Sequence, residues 1–182
     1  MHENLQNADG LTNHRQGSVF KRYILNLKDQ SVKMEDLVHT EFGSLDLPQY
    51  NPKWEGVAKN RYTYLFQLMH QTKIDEKYHW PLHKYDDDLK KIVATWGPGM
   101  TMCQEPRFIA NPAEDADEDD GIIMTHVYDF YRQKSSIVVI DPKTMTTLQE
   151  YDLPFKLSIQ FHNSFFRYDQ LQQYQESKQS FI

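Results

Sequence analysis

The residues best suited to chemistry in this sequence are its histidines, of which there are eight. His162 stands in the stretch LSIQFHNSFF. Read as a β-strand, that stretch sends alternate side chains to opposite faces. Leu157, Ile159, Phe161 and Phe165 then share an apolar face, and Ser158, Gln160, His162 and Ser164 a polar one. An imidazole on a polar face that is not needed for the core suits a strand lining a channel or a metal site. Isolated histidines are more often structural, so spacing alone leaves both readings standing. His79 and His83, four apart in HWPLH, do not make a helical metal-binding pair, because Pro81 lies between them. They are expected in a loop. His2, His14, His39 and His70 lie in polar surroundings and are expected to face water. His126, in GIIMTHVYDF, shares a strand face with Ile122, Met124 and Tyr128. A hydrogen-bonded interior imidazole is expected there, since an unpaired buried ring N–H costs about 1–3 kcal/mol.

Short strands have to position these groups. RYTYLFQ alternates Tyr62, Tyr64 and Phe66 against Arg61, Thr63 and Gln67. GIIMTHVYDF and SSIVVID are rich in β-branched and aromatic residues, and VFKRYILNL and PRFIANP are weaker candidates. Turn signals separate them at NPKWEG, WGPG, NPAEDADEDDG and DPKT. Strands at such short spacing, with few helical patterns, point to an all-β sandwich, barrel or propeller. The run EDADEDD holds six carboxylates in seven residues and is expected to be a solvated loop. A calcium site is the alternative, without the spacing of an EF-hand. The Gln-rich tail QLQQYQESKQSFI reads as a frayed helix or as disordered, and no sequence repeat counts blades.

A chain of 182 residues is long enough to bury roughly 70% of its unfolded surface. Aromatic content of 13% argues against disorder throughout. The net charge of −6, without a basic run, argues against nucleic acid as a partner. The single cysteine, Cys103, excludes an internal disulfide and a multi-cysteine zinc site. No secretory signal or membrane-spanning run is evident. The expected setting is cytoplasmic, with the chain free or resting on a membrane surface.

Taken in order, VFKRYILNLKDQSV, SLDLPQYNPKWEGVAKNRYTYLFQL, CQEPRFIANPAEDADEDDGIIMTHVYD and SSIVVIDPKTMTTLQEYDLPFKLSIQFHNSFF resemble the C-terminal portion of the carotenoid cleavage oxygenase family. The family pattern runs through an acidic–hydrophobic–Pro–x–x–Asn segment, a Tyr-rich strand, Glu-Pro-x-Phe, Glu-Asp-Asp-Gly and a final Phe-His. The resemblance covers about residues 17–166, leaving residues 1–16 weakly defined and 167–182 as a polar tail. It implies the C-terminal blades of a seven-bladed β-propeller. It also implies Fe(II) held on the propeller axis by four histidines, and cleavage of a carotenoid or apocarotenoid double bond with O2. By this resemblance His162 is the last iron ligand, pointing down the channel while Phe161 and Phe165 bury into the blade. Glu105 in QEPRF matches a glutamate that orients a ligand histidine. Asp46 in LDLPQYN stands where a second such glutamate is usual, one methylene shorter. Asn163 follows His162 where many relatives have glycine. The remaining ligands are expected upstream, which makes this chain the last third of a propeller, with the rest as its partner. Peripheral membrane contact is expected because the family's substrates dissolve in membranes. The alternative is a catalytically inactive propeller piece acting as a binding module.

Overall fold

The computed structural model describes residues 18–40, 44–56, 59–68, 79–158 and 162–179. It is built of antiparallel strands. β1 (Val19–Asn26) and β2 (Ser31–His39) form a hairpin. A four-stranded sheet follows: β3 (Ser44–Gln49), β4 (Tyr62–Leu68), β5 (Leu82–Asp86) and β6 (Lys91–Trp96), hydrogen-bonded in that order. The second sheet runs β11-β10-β9-β7, built from β7 (Thr101–Cys103), β9 (Gly121–Asp129), β10 (Lys134–Asp141) and β11 (Thr146–Asp152). β8 (Arg107–Ala110) also pairs with β9, beyond the stretch that β7 occupies. Sequential meanders of this kind are the blades of a propeller. One helix, α1 (Tyr168–Gln179), takes up most of the polar tail.

The two sheets pack face to face. Tyr64, Phe66, Leu82 and Trp96 of the first meet Phe108, Ile123, Val127, Val138 and Ile140 of the second in one buried cluster. Trp96 donates its indole N–H to Thr147 Oγ1 at 2.9 Å, crossing the seam. The alternation read in RYTYLFQ holds for direction but not for burial. Tyr64, Leu65, Phe66 and Gln67 are all buried, because β4 is an interior strand covered on both sides. The second covering is the β1–β2 hairpin, where Phe20 meets Tyr85 edge-to-face with ring centroids 5.7 Å apart and Arg22 pairs with Asp87.

The acidic run is the expected solvated loop only in its first half: Glu114, Asp115 and Asp117 are exposed, whereas Glu118, Asp119 and Asp120 are half-buried. It joins β8 to β9 and fastens the two sheets together. Glu118 Oε1 accepts the main-chain N–H groups of Arg61 and Tyr62, both at 2.7 Å. Asp119 pairs at 2.7 Å with the buried ammonium of Lys84, which also lies 4.0 Å over the Tyr62 ring. Asp120 pairs with Lys143 at 2.8 Å. Cations brought from other elements cancel the repulsion that the carboxylates would have in isolation. Gly121, which ends the run, comes so close to β8 that a Cβ built there would stand 2.4 Å from the Ile109 carbonyl oxygen; its φ is +153°. Only glycine fits.

In each sheet the first strand is interrupted next to an acidic residue and a proline. β3 carries a register shift between Asp46 and Gln49, with Leu47 at φ 48° and Pro48 following. β7 and β8 are separated by Gln104, Glu105 and Pro106. Proline has no N–H to give a ladder, so the pairing stops and the neighbouring carboxylate is freed from the pleat.

Candidate metal centre

Glu105 sits in the gap between β7 and β8, its side chain only 6% exposed. Gln104 beside it keeps the register by donating its N–H to the His126 carbonyl at 2.9 Å. The carboxylate meets the segment that carries His162. Glu105 Oε2 accepts the Asn163 main-chain N–H at 2.8 Å and lies 3.7 Å from His162 Nδ1. The second distance is longer than a hydrogen bond, yet it places the carboxylate on the Nδ1 side of the ring. Arg107, the first residue of β8, comes within 3.2 Å of Glu105 Oε1. Its guanidinium also donates to the Asn163 carbonyl at 2.8 Å and to Asn163 Oδ1 at 3.0 Å. The Asn163 amide in turn donates to the Glu105 carbonyl at 2.8 Å.

The strand expected over LSIQFHNSFF is not formed in its described part: residues 157–158 and 162–167 are irregular, and Ile159, Gln160 and Phe161 lie outside the described residues. The reason is competition for the main chain. Asn163 spends its N–H, its carbonyl and both side-chain polar atoms on Glu105 and Arg107, so no ladder can form there. Leu157 likewise donates its N–H to the Ser135 hydroxyl. His162 is 79% exposed. Phe165, expected in the blade, is instead 44% exposed. With Phe166, Tyr50, Arg107 and Phe108 it lines an open groove of about 850 Å³.

Asp46 is exposed, and its Oδ1 accepts the N–H of the next residue, Leu47, at 2.8 Å. The structure joins Glu105 with His162 and does not join Asp46 to either. Arg107 and Asn163 complete the cluster. Arg107 carried no signal in the sequence, whereas Asn163 stood out as a departure from glycine.

The other histidines sort cleanly. His83 is not in a loop: it lies in β5, buried, between Thr95 Oγ1 at 2.8 Å and Gln67 Oε1 at 2.7 Å. Pro81 precedes that strand and so does not prevent it. His79 bonds the Gly97 carbonyl at 3.0 Å, and His39 is exposed, 3.6 Å from Asp36. His2, His14 and His70 lie outside the described residues. His126 is interior as expected, but its partner is missing: neither ring nitrogen is hydrogen-bonded. Burial holds its imidazole below the ordinary value.

The donor set decides what the site can hold. One imidazole with a carboxylate behind it suits ferrous iron as a single corner of a larger shell. Among the described residues no group of three or more histidine, cysteine, aspartate or glutamate side chains could close that shell.

Comparison with known proteins places this arrangement. The chain is 30% identical over 156 residues to carotenoid 9,10(9′,10′)-cleavage dioxygenase 1 of Arabidopsis thaliana, covering 81% of this chain and 28% of that protein. It is 31% identical over 118 residues to the torulene dioxygenase of Fusarium fujikuroi, covering 64% of this chain and 19% of that one. It therefore spans less than a third of the curated relatives it matches. Among solved structures, Pseudomonas brassicacearum lignostilbene dioxygenase superposes with a TM-score of 0.63 at 19% identity, over 78% of this chain and 31% of that one. Cobalt-substituted Synechocystis apocarotenoid oxygenase gives 0.64 at 20% identity, over 79% and 29%. Identities this low speak for the shared β-propeller fold alone. The family model described as retinal pigment epithelial membrane protein matches residues 1–167. With the order of motifs, the two bladed sheets and these relatives in agreement, the chain belongs to the carotenoid cleavage oxygenase family.

Proposed function

We propose that this chain is part of an iron(II)-dependent oxygenase that cleaves a carbon–carbon double bond of a carotenoid or apocarotenoid with O2. His162 supplies one of its iron ligands. The observation that carries this reading is the convergence of Glu105 and His162, 57 positions apart in sequence, where β7 and β8 break. Iron bound at such a site supplies the means of activating O2. The residues of this chain hold the donor in place. Glu105 lies on the Nδ1 side of His162, 3.7 Å away, and closing that gap would let it accept the Nδ1 proton and fix the tautomer that leaves Nε2 as the metal donor. Asp46 belongs to the same reading as a second orienting carboxylate, acting on a histidine outside the described residues. The remaining ligands and the other blades of a seven-bladed propeller come from outside these residues as well. The half-buried apolar face around Met124, Ile137 and Val139 and the exposed apolar side chains of the β1–β2 hairpin fit such neighbours. Substrates of this class dissolve in membranes, so the reading includes approach to a membrane surface from the cytoplasmic side. No helix among the described residues is long and apolar enough to cross one.

The test uses the full gene product. Purified with iron, the wild type should release apocarotenoid products from a carotenoid. His162→Ala should lose both stoichiometric iron and product, and Glu105→Gln should lose about 10–100-fold in metal affinity or activity. A His162→Ala protein that keeps its iron and its turnover would refute the assignment. A non-catalytic binding role is the second reading. It is favoured by the lack, among the described residues, of any group of three or more side chains that could hold a metal, and a wild-type protein that folds but neither holds iron nor makes product would establish it.

A further inference from the structure

His162 is largely exposed, so no packed wall sets its ring. Its orientation has to come from the main chain at Asn163 and from Glu105. Both are held by one side chain. The Arg107 guanidinium reaches the Asn163 carbonyl, Asn163 Oδ1 and Glu105 Oε1 at 2.8, 3.0 and 3.2 Å. Asn163 closes the loop through its N–H to Glu105 Oε2 and its amide to the Glu105 carbonyl, both at 2.8 Å. The planar, multiply donating guanidinium suits this three-acceptor pattern, which a single ammonium cannot match. It also sets a positive charge against a carboxylate whose side chain is only 6% exposed.

We propose that Arg107 and Asn163 act together as a clamp that positions Glu105 and the His162 ring, making Arg107 a positioning residue for the metal ligand. The clamp deepens the function proposed above, and its metal consequence rests on that reading. Two opposed effects follow from removing Arg107. The carboxylate loses a competitor for its charge, which strengthens its pull on the imidazole, and it loses the fork that fixes its place. The second wins, because Arg107 holds Oε1 whereas the ring lies near Oε2, 3.7 Å away and unbonded. Freeing Oε1 therefore gives the ring nothing that it lacks.

The test titrates cobalt(II) into the metal-free full gene product, reading affinity and the visible spectrum of the bound ion. Arg107→Leu and Asn163→Gly should each weaken binding about ten-fold, at the low end of what loss of an outer partner does, and each should alter the spectrum. Residues of one network are not additive. The double variant should therefore also lose about ten-fold rather than a hundred-fold. Arg107→Lys, which keeps the charge without the fork, should recover part of the affinity and guards against a mere folding defect. If Arg107→Leu and Asn163→Gly bind cobalt as the wild type does while His162→Ala and Glu105→Gln do not, the clamp is overturned and the ligand assignment survives. Losses that multiply in the double variant also overturn the clamp. A wild type that takes up no cobalt, or a His162→Ala variant that binds it unchanged, overturns the ligand assignment together with the clamp's purpose.

Discussion

His126 is 8% exposed with both ring nitrogens unbonded, and burial keeps it in the neutral form. Its folded value lies below the roughly 6.5 of a free imidazole, so the unfolded chain takes up the proton first. The stability that His126 contributes is complete above about pH 6.5 and falls as the pH drops toward its folded value, with a slope of at most about 1.4 kcal/mol per pH unit. Denaturant unfolding of the wild type and of His126→Phe between pH 7.5 and 5 should show that slope in the first and its loss in the second. Single residues were unevenly legible from sequence. His126 was readable as interior because its neighbours alternate in a β-branched strand, but no pattern announces the absence of a partner. The pairing of Glu105 with His162 was readable only through family motifs. Arg107 was invisible, because its contacts with Asn163 span 56 positions and nothing local marks them.

At the scale of elements, the second half of the loop from β8 to β9 is the clearest case of tertiary context reversing a local inference, while Glu114, Asp115 and Asp117 stay exposed as expected. Counting six carboxylates in seven residues predicts repulsion. Lys84 and Lys143, contributed by β5 and by the β10–β11 turn, convert it into attraction. Lys84→Met should leave Asp119 without its cation and cost about 3 kcal/mol, with part of the loss recovered by adding Asp119→Asn. Gly121→Ala should destabilise by about 2 kcal/mol or more, since the methyl group meets the Ile109 carbonyl and the backbone angle is strained. Chemical denaturation of the single and double variants measures both. β1, β4, β8, β9 and β10 were legible from their apolar and β-branched content, a local property, whereas β5 was expected to be a loop and β2, β3, β6, β7 and β11 carried no such signal. The stretch around His162 misled because apolar alternation cannot reveal that Asn163 commits its main chain elsewhere.

For the whole molecule, order and spacing of motifs gave the propeller, and the sheets carry it out. The placement of exposed apolar surface is new information. Tyr23, Leu25, Val32 and Met34 on the hairpin are each more than half exposed, and an unpaired hairpin edge invites further strands. The 182-residue chain alone should therefore self-associate in size-exclusion chromatography with light scattering. Replacing Leu25 and Val32 by lysine and glutamate should shift it toward monomer.

The tetrad Glu118-Asp119-Asp120-Gly121 has a further implication. Its acids cap amides and neutralise lysines at the join between two blades, and its glycine lets two strands touch. None of the four is bonded to His162. That motif therefore serves assembly of the blades, and a relative that had lost its catalytic histidines would have every mechanical reason to keep it.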